Sequence, residues 1–439
     1  MAKDPKTLPK GVRYPSPDIG EQMRAISPQS VEIVEILQEN GFEAYMVGGC
    51  VRDLLLDRSP KDFDVATNAE PGAVTKLFKR SRIVGRRFQI VHVRNGREVV
   101  EVTTFRAHHD TKDTDRNESE QSDSGMLLRD NVYGSLADDA MRRDFTINAL
   151  YFCPKTDEII DFVDAMPDIK AGVLRVIGDA STRYQEDPVR MLRAARFTGK
   201  LGFEPETKTA EAITRNGHLL RQVAPARMFD EVLKLFMGGA AATTLKVLQQ
   251  YDLLEYLFPL TAEAIEDEQQ YAQEILQATM ENTDARIQAG KPVTPAFMYA
   301  AVLWPAVIEL REACLDQGMH IVEALREAAH AATMDQLQTT AIPKRFSIPM
   351  REIWDLQSRL HLKEGKRAAK LRSNPRFRAA YDFVLLREQA GEDMDGLGEW
   401  WTTYQEENPV EEQARPQTRK PPRRRRRRPP RQEQGQPPS

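Results

Sequence analysis

Asp62 and Asp64 flank Phe63 a short way downstream of Gly48-Gly49-Cys50-Val51-Arg52-Asp53, so two carboxylates stand beside a glycine turn. In a strand, residues i and i+2 share a face, so Asp62 and Asp64 are expected to project together while Phe63 and Val65 enter the core. Paired carboxylates repel unless a cation lies between them, and hard Mg²⁺, or Mn²⁺ in its place, takes carboxylate and phosphate oxygens. Glycine lets the backbone approach a triphosphate without a Cβ in the way. The helix start expected after Gly48 and Gly49 adds positive potential, with Arg52 close by. This chemistry is nucleotidyl transfer.

A second constellation is Met141-Arg142-Arg143-Asp144-Phe145-Thr146-Ile147-Asn148. Phe145 and Ile147 can anchor it, which leaves Asp144 as a third carboxylate and Arg143 and Asn148 for phosphate and sugar contacts. Glu101, on a strand between Val100 and Val102, is a competing third acid. A third constellation, Glu186-Asp187-Pro188-Val189-Arg190, reads as an N-cap and first helical turn, with Arg190, Arg193 and Arg196 recurring along one broad face. A carboxylate beside a guanidinium can read a base: Asp187 accepts from an exocyclic amine and Arg190 donates to the adjacent ring nitrogen. Adenine and cytosine satisfy that order and guanine and uracil reverse it, so ATP and CTP are both admitted.

The elements that must hold these residues follow from periodicity. Val31 to Leu37 repeats apolar residues at helical spacing, and Ala44 to Val47 suits a buried strand. Val51 to Leu56 continues as a helix, and a further helix lies near Gly72 to Lys79. Arg87 to Val93 and Glu98 to Phe105 alternate as antiparallel strands joined at Asn95-Gly96. Residues 107–125 are polar throughout and are expected to form a mobile loop. From Val189 onward helical stretches dominate, at Met228–Met237, Ala240–Leu257, Met298–Leu310 and Trp354–Leu360.

The chain has 439 residues, about three typical domain lengths. Its three cysteines lack Cys-x-x-Cys pairing, so neither a disulfide framework nor a zinc site is indicated. No window approaches a membrane span and the first residues lack an apolar signal core, so a cytoplasmic location without membrane contact is expected. The net charge of −4 hides an asymmetry, because residues 415–439 carry ten Lys or Arg against Glu433 and the rest of the chain is correspondingly acidic. That tail, with Arg423, Arg424, Arg425, Arg426, Arg427 and Arg428 in one run, cannot bury a core and is expected to be disordered and to bind RNA through counterion release. Residues 363–378 hold seven Lys or Arg against Glu364, which makes Lys366, Arg367 and Lys370 a second expected RNA contact.

The combined motifs Gly48-Gly49-x-x-Arg52-Asp53, Asp62-Phe-Asp64, Arg142-Arg143-Asp144-Phe-Thr-Ile-Asn148 and Glu186-Asp187-Pro-Val-Arg190-Met-Leu-Arg193-Ala-Ala-Arg196-Phe197 resemble the class II group of the polymerase-β nucleotidyltransferase superfamily. That group contains tRNA CCA-adding enzymes and bacterial poly(A) polymerases. The resemblance implies an α+β fold: a small mixed palm-like head, then a helical neck and body. It also implies that the Asp pair binds Mg²⁺, that the neck helix reads the base and that Asp144, matching a position treated as catalytic in the group, outranks Glu101. The expected regions are an irregular leader at 1–30, the head at 31–153, the neck at 154–222, the body at 223–400 and a disordered tail at 401–439. Val84 to Val93, Ile342 to Phe346, Gly365 to Tyr381 and the arginine tail resemble the poly(A) polymerases. The resulting expectation is template-independent addition of AMP from ATP to RNA 3′ ends in RNA turnover. CCA addition to tRNA and a catalytically silent RNA-binding regulator are the alternatives, and RNA-degradation or chaperone partners stay open.

Overall fold

The computed structural model describes residues 9–15, 26–85, 89–96, 98–107, 120–121, 127–129, 133–269 and 271–409. Strands β1 (Val12–Pro15), β2 (Ala44–Val47), β3 (Asp64–Thr67), β4 (Ser81–Val84), β5 (Ile90–Asn95) and β6 (Glu98–Thr104) lie in the head. They are followed by the short pair β7 (Glu120–Gln121) and β8 (Leu127–Arg129), then β9 (Leu150–Cys153) and β10 (Glu158–Asp161). Eight of them form one sheet in the order β1-β10-β9-β2-β3-β6-β5-β4, in which β3 and β6 are parallel and the other neighbours antiparallel.

Helices α1 (Pro28–Glu39), α2 (Gly49–Leu55) and α3 (Pro71–Leu77) cover one face of this sheet. Met46, Val65, Val91, Val100, Val102, Phe152 and Ile159 meet them in the main core. On the other face Val47, Ala66, Phe105, Tyr151 and Ile160 form a small cluster with Ala140 of α4 (Leu136–Met141). Asp64 and Ala66 alternate onto that thinly covered face, which leaves room for chemistry there.

The neck holds α5 (Ala165–Ala171), the small parallel pair β11 (Val173–Leu174) and β12 (Glu204–Pro205), α6 (Ala180–Glu186), α7 (Val189–Leu201) and α8 (Thr207–Asn216). The body follows as α9 (Pro225–Phe236), α10 (Ala241–Gln250), α11 (Pro259–Glu266), α12 (Ala272–Gln288), α13 (Pro295–Val302) and α14 (Trp304–Asp316). It ends with α15 (Ile321–Thr339), α16 (Lys344–Gln357), α17 (Lys366–Arg372), α18 (Phe377–Gln389) and α19 (Leu397–Glu407).

Several expectations need correction. The leader is not irregular throughout, because β1 adds to the sheet edge with Tyr14 opposite Ile159. The strand at the aspartates begins only at Asp64, so Asp62 is exposed in the segment before it. Helix α2 starts at Gly49, two residues early, because Gly48 takes a φ of 79° that a side chain would resist. The apolar run at Met298–Leu310 is two helices, since Pro305 lacks the N–H that a continuous helix needs. The body does not stop at residue 400: Trp401 is fully buried and its indole donates to the Leu360 carbonyl at 3.0 Å. The expected hairpin stands, with Gly96 at a φ of +59°, but its first strand begins at Ile90, and edge strand β4 was not foreseen. Most of the 107–125 segment, Arg86 to Phe88 and the tail arginines 423–428 lie outside the described residues.

Candidate active site

Asp64 opens β3, half-buried, directly beside Glu101 in the parallel register with β6. Burial, then the Glu101 carboxylate and, less strongly, Asp62 push the Asp64 carboxyl up to about 6, against the pull of Arg143. An excess of negative charge at an open sheet face is what a divalent cation neutralises, so this donor set fits Mg²⁺. Among the described residues no three His, Cys, Asp or Glu donors converge on a metal position. A cation held by these carboxylates would need further oxygens from outside the protein, as Mg²⁺ commonly does.

Asp144 is placed differently from the expectation of a catalytic carboxylate. Its Oδ2 accepts from Arg193 Nε at 2.6 Å, and its Oδ1 accepts from Asn148 Nδ2 at 3.1 Å and from the Phe145 amide at 2.8 Å. The oxygens of Asp144 are engaged at the head–neck junction, and Glu101 is the acid that neighbours Asp64. Sequence spacing could not separate them, because the parallel pairing of β3 with β6 is a long-range choice.

The glycine turn is built by the same framework. Gly48 donates its own amide to the Leu150 carbonyl at 3.2 Å, so the amides left for a phosphate are those of the first turn of α2. A Cβ on Gly48 would lie 3.4 Å from Arg143 Nη1 and 3.6 Å from the Asn148 carbonyl, which brings Arg143 and Asn148 against the turn. Arg143 also donates to Asp139 at 2.9 Å and to the Tyr151 hydroxyl at 3.1 Å. Arg52 is buried, gripping Asp53 at 2.6 Å and the Asn148 amide oxygen at 2.5 Å, with Phe197 beneath its guanidinium.

The neck residues are brought together, with changed duties. Asp187 does not cap α7; it ends α6 and takes an ion pair from Arg227 of the body at 2.7 Å. Arg190 donates to Glu186 at 2.9 Å and to the Arg183 carbonyl at 2.8 Å. Arg193 holds Asp144, and Arg196 lies over Phe197 with its pKa pushed down to about 10 by burial and by Arg193. Arg183 ties neck to head through the carbonyls of Arg142 and Arg143. Lys366, Arg367 and Lys370 are exposed on α17, away from this framework in sequence and in packing.

Sequence reasoning missed Asp139, Tyr151, Arg183 and Arg227. Asp139 could have been found, since it stands three and four residues before Arg142 and Arg143 at helical spacing. Nothing local announces the other three.

Burial works to raise Asp139, but Arg143 and Arg142 hold its carboxyl far below the usual range, and Arg193 does the same for Asp144 against its burial. With both lowered in the folded state, the unfolded chain binds more protons in acid. Their stabilisation is present above about pH 4 and is lost as pH falls below it. Thermal melting should therefore give a Tm that does not fall between neutral pH and about 5, where protonation of the raised Asp64 favours the fold, and that then drops; a Tm at about pH 3 equal to that at neutral pH would contradict this.

Comparison with known proteins sharpens the assignment. Residues 44–175 match the family described as Poly A polymerase head domain, 202–265 the one described as probable RNA and SrmB-binding site of polymerase A, and 317–433 the one described as polymerase A arginine-rich C-terminus. The CCA-adding enzyme of Lactobacillus delbrueckii subsp. bulgaricus is 41% identical, over only 48% of this chain and 50% of that protein. Poly(A) polymerase I of Salmonella typhimurium is 43% identical over 89% of this chain and 84% of its own length. The chain belongs to the bacterial poly(A) polymerase family. It is a nucleotidyltransferase by that membership. The architecture of this poly(A) polymerase family member also resembles the Bacillus stearothermophilus CCA-adding enzyme in complex with CTP, with a TM-score of 0.58 and 25% identity, over 88% of this chain and 84% of that one. Among the described residues no helix is long and apolar enough to cross a membrane.

Proposed function

We propose that this site adds AMP from ATP, without a template, to RNA 3′-hydroxyl ends and releases pyrophosphate. The observation that carries this reading is the open row of Asp64 and Glu101, with Asp62 before it, beside the α2 glycine turn in a chain that matches poly(A) polymerases over nearly its full length. Asp62 and Asp64 would hold a divalent cation such as Mg²⁺, which supplies Lewis-acid polarisation of the α-phosphate and of the attacking hydroxyl. The first-turn amides of α2 and Arg143 face the triphosphate, and Asn148 and Arg52 keep that turn rigid. Arg190 offers its remaining N–H groups to the ring-nitrogen acceptor of adenine. Arg227 engages one oxygen of Asp187 at 2.7 Å, so base reading falls first to Arg190, whose donors suit adenine and cytosine alike.

RNA approach falls to the basic surfaces. Lys366, Arg367 and Lys370 on α17 and the arginines at 423–428 neutralise phosphates, and the 202–265 region adds a surface whose family description includes RNA and SrmB binding. Removing residues 415–439 should weaken RNA affinity and flatten its salt dependence, by about 0.7 in slope per lost single-strand phosphate contact. Filter binding from about 50 to 200 mM salt measures it, and an unchanged slope would refute the tail's part.

The deciding assay offers purified protein a generic RNA and a tRNA lacking its CCA end, with Mg²⁺ and either ATP or ATP plus CTP. Long ladders on generic RNA with ATP alone support poly(A) addition. Growth by about three nucleotides that needs CTP and occurs only on tRNA would make it a CCA-adding enzyme, and RNA binding without extension would favour the silent regulator.

A further inference from the structure

The sheet face that carries Asp64 holds one more polar group that the transfer described above leaves unused. His92 on β5 stands opposite Glu101 in antiparallel register, and Glu101 stands beside Asp64 in parallel register. Directly paired residues put their Cβ atoms about 4.5–5.5 Å apart on one face, so Asp64, Glu101 and His92 form a row across three strands. His92 Nε2 lies 3.2 Å from Glu101 Oε1. Arg82 on β4 continues the row at the sheet edge.

Glu101 needs a holder. Its side chain is 46% exposed and carries like charge to Asp64 next door, so repulsion and rotamer entropy both draw it out toward solvent. His92 is only 23% exposed and sits on a strand paired on both sides. An imidazole N–H on one carboxylate oxygen fixes the group while leaving the other oxygen open to accept. A strand position asking only for bulk would suit Val or Thr as well, and neither can place a donor at that distance.

We propose that His92 is a positioning residue of the active centre: it donates its Nε2–H to Glu101 and so keeps the third carboxylate beside Asp64, where an attacking hydroxyl is received. His92 acts wholly through Glu101. This rests on the adenylyl-transfer reading given above.

The test compares full-length His92→Ala, His92→Gln, Glu101→Gln and the double variant His92→Ala/Glu101→Gln. Steady-state extension gives kcat and the KM for ATP, and electron paramagnetic resonance gives Mn²⁺ binding without RNA or ATP. His92→Ala should lower kcat about 10- to 100-fold, as loss of an outer partner does at such sites, and leave KM within about twofold. It should weaken Mn²⁺ binding as Glu101→Gln does. His92→Gln, whose amide can donate to the same oxygen, should recover most of both, and His92→Ala should cost nothing further in the Glu101→Gln background. Additive losses, a change confined to KM, a Gln variant as impaired as Ala, or Mn²⁺ binding that falls only in Glu101→Gln would each overturn the proposal. Wild-type protein that fails to extend RNA sinks the transfer reading instead, because the Mn²⁺ comparison still reports on the His92–Glu101 pair.

Discussion

Asp62→Ala should abolish RNA extension while the protein folds, melts and binds RNA as before. Asp62 is exposed in the segment ahead of β3 and has no packing role, so its removal costs the fold almost nothing. Removing one of the two carboxylates proposed to hold the cation should forfeit several kcal/mol of transition-state stabilisation, which at about 1.4 kcal/mol per tenfold is a rate loss on the order of 1,000-fold or more. Single-turnover extension with a radiolabelled primer would register it. A variant that kept a tenth of the wild-type rate would remove Asp62 from the centre.

Asp144→Ala should fail in a different way. Asp144 accepts from Arg193, Asn148 and the Phe145 amide in a buried junction, and its loss leaves a guanidinium without its counter-charge. Breaking such a pair typically costs about 3–5 kcal/mol. Arg193 is a third exposed on its side chain, so the lower end is expected here. Denaturant titration should show that loss together with reduced activity, whereas Asp144→Asn, which keeps the shape and two of the three contacts, should regain part of both. An Asp144→Ala protein as stable as wild type yet inactive would return Asp144 to direct chemistry.

That contrast marks how far the sequence could be followed. The glycine turn, the Asn95-Gly96 hairpin and the helical second half are local affairs of φ preference and periodicity, and they were legible. Asp64 was legible because strand alternation places it, but Asp62 escaped the same logic when the strand began two residues later. That Glu101 stands beside Asp64 could not be read without knowing that β6 lies parallel to β3, a pairing made across more than thirty residues. The ion pair between Asp187 and Arg227 was beyond reach for the same reason: it joins a neck turn to a body helix forty residues away. Local reasoning found which residues could act, and tertiary pairing decided which of them are already engaged.

Strand β1 has a consequence for how the chain survives in a crowded cell. It pairs along the whole of β10, whose Ile159 and Ile160 are buried. Without residues 12–15 that strand would present a bare row of amides and carbonyls, a template on which a second chain could add itself. In the intact chain β1 forms the sheet edge itself, but it is only four residues long, carries Arg13 and ends at Pro15, features that discourage a further strand. A shortened product beginning at α1 would expose β10 in its place and be prone to self-association.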